Sequence, residues 1–118
     1  MDKSTRNYSK IQEKFIAKIF DGKVVSNSGA TPFFKGDVQI KDNELNILLE
    51  CKTKTKTQTT HSIKKEWIES IKKESKQSGL DFGWLVFDYG EEKKTIDNQY
   101  IVISVKDFID YREMLKNG

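Results

Sequence analysis

In 118 residues the chain holds one cysteine, Cys51, one histidine, His61, and one proline, Pro32. A lone cysteine excludes an internal disulfide framework, and with a single histidine there is no ligand set for a structural zinc. No stretch approaches the roughly 18 consecutive apolar residues of a membrane span. The polar N-terminal stretch also lacks the apolar segment of a signal peptide. These absences point to a cytoplasmic protein with one modest apolar core, and to a single domain over residues 1–118.

Charge is what the chain has in quantity. Lys and Arg number 21 against 18 Asp and Glu, a formal net charge of +3. The balance is uneven: residues 51–79 hold eight lysines and three glutamates, whereas residues 80–118 hold eight acids and five Lys or Arg. Such an asymmetry marks one side for a polyanion. A lysine-rich helix face that is merely solvated would look the same, so the basic segment gains meaning only from what stands beside it.

Beside it stands Gly36-Asp37-Val38-Gln39-Ile40, then a polar turn, then Leu48-Leu49-Glu50-Cys51-Lys52. Asp42-Asn43 suits a two-residue hairpin loop between alternating runs. That loop pairs Lys41 with Glu44, Ile40 with Leu45, Gln39 with Asn46, Val38 with Ile47 and Asp37 with Leu48. Alternation then puts Val38, Ile40, Leu45, Ile47, Leu49 and Cys51 on one face and Asp37, Gln39, Asn46, Glu50 and Lys52 on the other. Glu50 becomes the diagonal neighbour of Asp37, about 7–8 Å away, and Lys52 lies one step further on. Two converging carboxylates repel unless a proton or a cation sits between them. Their oxygens suit a hard ion, Mg2+ with Mn2+ as substitute, which takes one or two carboxylates plus phosphate oxygens and water. Lys52 is placed to orient an attacking water and to offset phosphate charge. A solvated surface hairpin is the plainer reading of the same residues. Cys51 alternates onto the apolar face and reads as a small buried residue, not a nucleophile.

Asp37, followed after a hydrophobic strand by Glu50-Cys51-Lys52, resembles the D…(D/E)xK signature of the PD-(D/E)XK nuclease superfamily. The order of Glu13 on a first helix, Ser28-Gly29-Ala30 before Asp37, Glu50-x-Lys52 and then a basic helix is most similar to archaeal and phage Holliday-junction resolvases. The resemblance covers nearly the whole chain. It implies an α/β fold with a restriction-endonuclease-like core, a central mixed β-sheet flanked by helices. It further implies that Asp37 and Glu50 ligate the metal with the Cys51 carbonyl as a third ligand, that Lys52 is the catalytic lysine, and that Glu13 completes the metal site, directly or through water.

The remaining segments fill in that outline. A first helix is expected over about Thr5 to Phe20, with Tyr8, Ile11, Phe15 and Ile19 as its buried stripe, Glu13 on the stripe's flank and Asp21-Gly22 as its stop. Arg6, Lys10 and Lys14 are candidate phosphate contacts or simple solubilisers. Val24-Val25 opens a short strand leading into a loop rich in small residues, where Ser28 and exposed amides could hold a phosphate. Phe33-Phe34 read as packing beneath that loop. The Thr/Lys alternation from Thr53 to Thr57 suits a strand extension in which Lys52, Lys54 and Lys56 form one row. His61 is left as a DNA contact or a residue before a helix.

A second helix is expected from about Ser62 to Gln77, with Ile63, Trp67, Ile68 and Ile71 as its core stripe, Lys64, Lys65, Lys72, Lys73 and Lys76 on its polar sides, and Ser78-Gly79 as its stop. Phe82–Phe87 reads as an interior strand, Tyr100–Val105 as another, and Phe108, Tyr111, Met114 and Leu115 as a closing helix, giving the order α β β β α β β α.

The expected function is that of a Mg2+-dependent endodeoxyribonuclease on branched DNA, a Holliday-junction resolvase, with Ser28, Lys54, Lys56, Lys64, Lys65, Arg6 and Lys10 as DNA contacts. So small a chain has no room for a base-reading module and should recognise shape and backbone. Paired cuts across a junction call for a homodimer. A restriction or repair nuclease on linear or damaged duplex, or a DNA-binding module without turnover, are the alternatives.

Overall fold

The structure, a computed structural model, describes residues 5–25 and 36–117, the side chains of residues 5–7 excepted. The chain runs α1 (Thr5–Ile19), β1 (Lys23–Val24), β2 (Val38–Asp42), β3 (Leu45–Lys52), α2 (Lys65–Gln77), β4 (Phe82–Phe87), β5 (Tyr100–Val102) and α3 (Val105–Asn117). One 3-10 turn, Ile96–Asn98, precedes β5. The order of helices and strands is the expected one. Ser28 and Phe33-Phe34 lie outside the described residues, as does the Arg6 side chain.

The five strands form one mixed sheet in sequence order. β1–β2, β2–β3 and β4–β5 pair antiparallel, while β3 and β4 run parallel. A parallel pair needs a long crossover, and α2 supplies it. On one face Val38, Ile40, Ile47, Leu49, Cys51, Phe82, Trp84 and Val86 meet Ile16 and Ala17 of α1, with Tyr111 of α3 packed alongside. On the other, Leu48 and Leu85 are fully buried together with Ile71 of α2. α2 comes so close to β4 that a Cβ built on Gly83 would stand 2.2 Å from the Ile71 carbonyl oxygen. Among the described residues no helix is long and apolar enough to cross a membrane.

Five local expectations are corrected. The hairpin turns at Asn43 and Glu44, whose φ angles are +49° and +69°. Asp42 therefore stays in β2 opposite Leu45, and the register places Val38 against Leu49 and Ile40 against Ile47. Asp42 is claimed by tertiary structure, because its carboxylate accepts the Tyr111 hydroxyl of α3. The shift is two residues, an even number, so the two faces of the hairpin keep their expected membership.

In α1 the buried stripe is rotated: Gln12 and Ile16 are buried while Ile11 is exposed. Residues 53–64 are irregular, so the Thr/Lys run is no strand extension. The reason is that threonines are drawn sideways to the chain after β4. Thr53 Oγ1 donates to the Asp88 carboxylate at 2.5 Å, Thr57 Oγ1 donates to the Gly90 carbonyl at 3.1 Å, and the Gln58 amide donates to the Tyr89 carbonyl at 2.7 Å. Finally, α2 begins at Lys65, with Trp67 and Ile68 only half-buried, and β5 ends at Val102 because α3 starts at Val105.

Candidate active site

β2 begins and β3 ends at the same end of the sheet, and this is what gathers the acidic residues. The Asp37 amide donates to the Leu49 carbonyl at 2.8 Å, just beyond the last ladder pair. Its carboxylate then turns across to β3, where Asp37 Oδ2 accepts the Cys51 amide at 2.8 Å. Asp37 thus lies beside the Leu49-Glu50-Cys51 backbone instead of opposite Leu48. Glu50 and Lys52 share the face covered by α2, and Lys52 Nζ is 3.3 Å from Glu50 Oε2. Glu13 reaches the same place from α1.

The electrostatics register this convergence. Burial raises the Glu50 carboxyl to about 7; neighbouring Asp37 adds to the rise, and Lys52 opposes it. Burial likewise raises Glu13 to about 7, again helped by Asp37 and opposed by Lys10. Asp37 is raised by burial, with the Cys51 amide and Lys52 working against the rise. Each acid is pushed toward its protonated form by lost hydration, and for Glu13 and Glu50 a neighbouring carboxylate adds to the push; a bound cation would reverse that balance. Cys51 is buried and free, and burial together with the surrounding carboxylates drives its thiol well up, which keeps it from acting as a nucleophile.

A hard divalent ion fits this donor set. The Cys51 amide occupies only one oxygen of Asp37, and Glu50 Oε2 is shared with a lysine. Among the described residues no three His, Cys, Asp or Glu side chains are grouped to hold a metal ion. Glu13 therefore stands as an electrostatic neighbour of Asp37 and not as a member of a three-carboxylate cluster. One or two carboxylates, with water and phosphate oxygens for the rest, are what a magnesium ion takes.

Several residues here have no counterpart in the sequence reading. Gln12, fully buried, donates through Nε2 to the Lys52 carbonyl at 3.0 Å and to Gln99 Oε1 at 3.1 Å. The Asp88 amide donates to the same Lys52 carbonyl at 3.1 Å. Asp88, with no solvent exposure, receives Thr53, the Gly90 amide at 2.9 Å, Gln99 Nε2 at 2.8 Å and the buried Lys94 ammonium at 2.9 Å. Burial alone would raise the Asp88 carboxyl, and these bonds together hold it below its ordinary value. The hub sits next to the backbone of Lys52, since Lys52 pairs with Phe87 across the parallel strands. Its one sequence signal was a carboxylate directly after a continuous apolar strand; Gln12 was signalled by a polar residue inside an apolar helix stripe.

The basic candidates divide. Lys10, Lys56, Lys64 and Lys65 are exposed and Lys54 is half-buried, all compatible with a surface track. Lys72 is used internally, donating to Ser104 Oγ at 3.1 Å. His61 turns inward: its Nδ1 is 2.7 Å from the Asp88 carbonyl and its ring meets Trp67, Phe87 and Tyr89 edge-on.

No family model matches the chain, and no curated protein does. Among solved structures, the chain is similar to Hjc of Archaeoglobus fulgidus, a Holliday junction resolvase from an archaeal hyperthermophile. The TM-score is 0.52 at 11% identity, over 84% of this chain and 89% of that one. The likeness is one of fold: the mixed sheet with its three helices is of the restriction-endonuclease-like kind expected from Asp37 and Glu50-Cys51-Lys52.

Proposed function

We propose that this protein is a metal-dependent endodeoxyribonuclease that hydrolyses phosphodiesters in branched DNA, as a Holliday-junction resolvase does. The observation that carries the reading is the meeting of Asp37, Glu50 and Lys52 at one end of the sheet, with burial raising both carboxyls and Asp37 adding to the rise of Glu50, on a fold shared with a resolvase. Asp37, Glu50 and the Cys51 carbonyl would hold Mg2+ or Mn2+, with Glu13 reaching it through water. A metal bound there supplies Lewis-acid polarisation of water and of a phosphoryl oxygen.

The chain's own groups supply position and charge. Lys52 orients the attacking water and offsets charge on the phosphate, and fixed placement of charged groups accounts for most of the rate of such a reaction. Cleavage leaves a 5′-phosphate and a 3′-hydroxyl. Lys54, Lys56, Lys64, Lys65 and Lys10 contact the backbone, so affinity falls steeply with salt. A homodimer would pair two sites across a junction, and the exposed Val105, Phe108, Ile109 and Met114 on α3 offer apolar surface for association.

The test is a cleavage panel of four-way junction, flap, single strand and linear duplex with Mg2+, using wild type and Asp37→Asn. Wild type should cut the junction preferentially, and Asp37→Asn should lose cutting by about a hundredfold or more while retaining junction binding. Equal cutting of linear duplex would transfer the protein to the restriction or repair class. Unchanged activity in Asp37→Asn would remove the mechanism.

A further inference from the structure

We infer that Trp67 is a positioning residue for Lys52, its indole face serving as the seat that keeps the ammonium directed at the Asp37–Glu50 pair. The consequence for turnover rests on the nuclease reading; the seat itself rests on geometry alone. Lys52 Nζ lies 4.5 Å from the centroid of the Trp67 ring, inside the range of a cation–π contact, while also 3.3 Å from Glu50 Oε2.

Trp67 stands in the first turn of α2 and is half-buried, apart from the apolar cluster on the α1 face of the sheet. Its ring meets that of His61 edge-on at 6.2 Å and 80°. His61 is itself fixed by Nδ1 against the Asp88 carbonyl at 2.7 Å and by Phe87 at 5.4 Å. Backbone anchoring therefore passes from the end of β4 through the imidazole to the plane of the indole.

Chemistry makes such a seat useful. A carboxylate partner accepts the ammonium hydrogens and cancels its charge, and Glu50 cannot hold Lys52 with an oxygen that it gives to a metal. An aromatic face attracts the cation through its quadrupole without taking a hydrogen. Lys52 would then keep its donors for water and phosphate while its long stem stays in one direction. Lys64 Nζ, 5.6 Å from the same ring, approaches from the basic surface, so the indole joins the candidate phosphate track to the catalytic lysine.

Two readouts separate this from ordinary packing. In 13C-lysine-labelled protein, with the Lys52 signals assigned by their loss in Lys52→Arg, ring current should move the Lys52 ε-methylene upfield of the other lysines. Trp67→Leu should abolish that displacement, and Trp67→Phe should retain part of it. In junction cleavage with Mg2+, Trp67→Leu should lower kcat about tenfold with junction affinity unchanged, and Trp67→Phe should recover most of the loss. An undisplaced Lys52 methylene in wild type overturns the seat, as does a Trp67→Leu protein that turns over at the wild-type rate. Equal losses in the Leu and Phe variants, with the spectrum intact in Phe, overturn it in favour of packing. A wild-type protein that cuts no DNA sinks the nuclease reading, and the seat is then decided by the methylene shift alone.

Discussion

Glu50→Gln should make the metal-free protein more stable at pH 8, although it removes an acid central to the proposed catalysis. In the fold, burial first and Asp37 second raise the Glu50 carboxyl from 4.5 to about 7. A carboxyl whose folded pKa exceeds its unfolded one imposes no penalty below the unfolded value. The penalty grows as pH rises from 4.5 toward 7 and is fully present above that. Each pH unit of the interval is worth about 1.4 kcal/mol, so the ionised side chain weakens the fold by about 3 kcal/mol.

The Glu50 side chain is only 22% exposed, so solvent screening removes little of this. The attraction of Lys52, which opposes the rise, is already contained in the value of about 7, so the amide gains about 3 kcal/mol net. With a urea slope of about 2 kcal/mol per molar, the midpoint in EDTA at pH 8 should rise by about 1.5 M. At pH 4, below the unfolded pKa, the carboxyl is largely protonated in both states and the two proteins should unfold together. Saturating Mg2+ at about a hundred times its dissociation constant should then stabilise wild type by about 2.7 kcal/mol and leave Glu50→Gln unmoved. A variant less stable than wild type at pH 8 in EDTA, or a difference independent of pH, would refute the electrostatic account of the site.

Asp88→Asn should destabilise the protein by about 3 kcal/mol in urea titrations, because the buried Lys94 ammonium keeps its desolvation cost and loses its counter-charge. The same change should speed proteolysis within residues 53–60, since Thr53 is anchored to that carboxylate. Gly83→Ala should cost about 2 kcal/mol, measured in the same way, because its Cβ would meet the Ile71 carbonyl and drive α2 from the sheet. If Gly83→Ala proved neutral, the close approach of α2 to β4 would be wrong.

Much of the architecture was legible before folding because it depends on local pattern. Alternation in Val38–Ile40 and Leu45–Cys51 assigned the faces of the hairpin, and those faces survived a turn misplaced by one residue, since the resulting register slip was even. The continuous apolar run Phe82–Phe87 matched an interior strand end to end. What misled was sequence whose conformation is set by distant partners. Asp42 looked like a loop residue but is held in the strand by Tyr111, and the Thr/Lys alternation looked like a strand but is pulled out of one by Asp88 and Gly90. Trp67 had the spacing of a core residue, and only its meeting with Lys52 gives it another reading.

The sequence by itself determined the order of elements, the two faces of the hairpin and the three residues Asp37, Glu50 and Lys52, because these follow from periodicity and residue chemistry within a few positions. Tertiary structure alone decided the company they keep. Glu13 is brought to Asp37 across 24 positions of chain, and the buried hub of Gln12 from α1 and Asp88, Lys94 and Gln99 from the connection between β4 and β5 closes around the Lys52 backbone. The raised carboxyls likewise belong to the fold, since desolvation exists only once the core has excluded water.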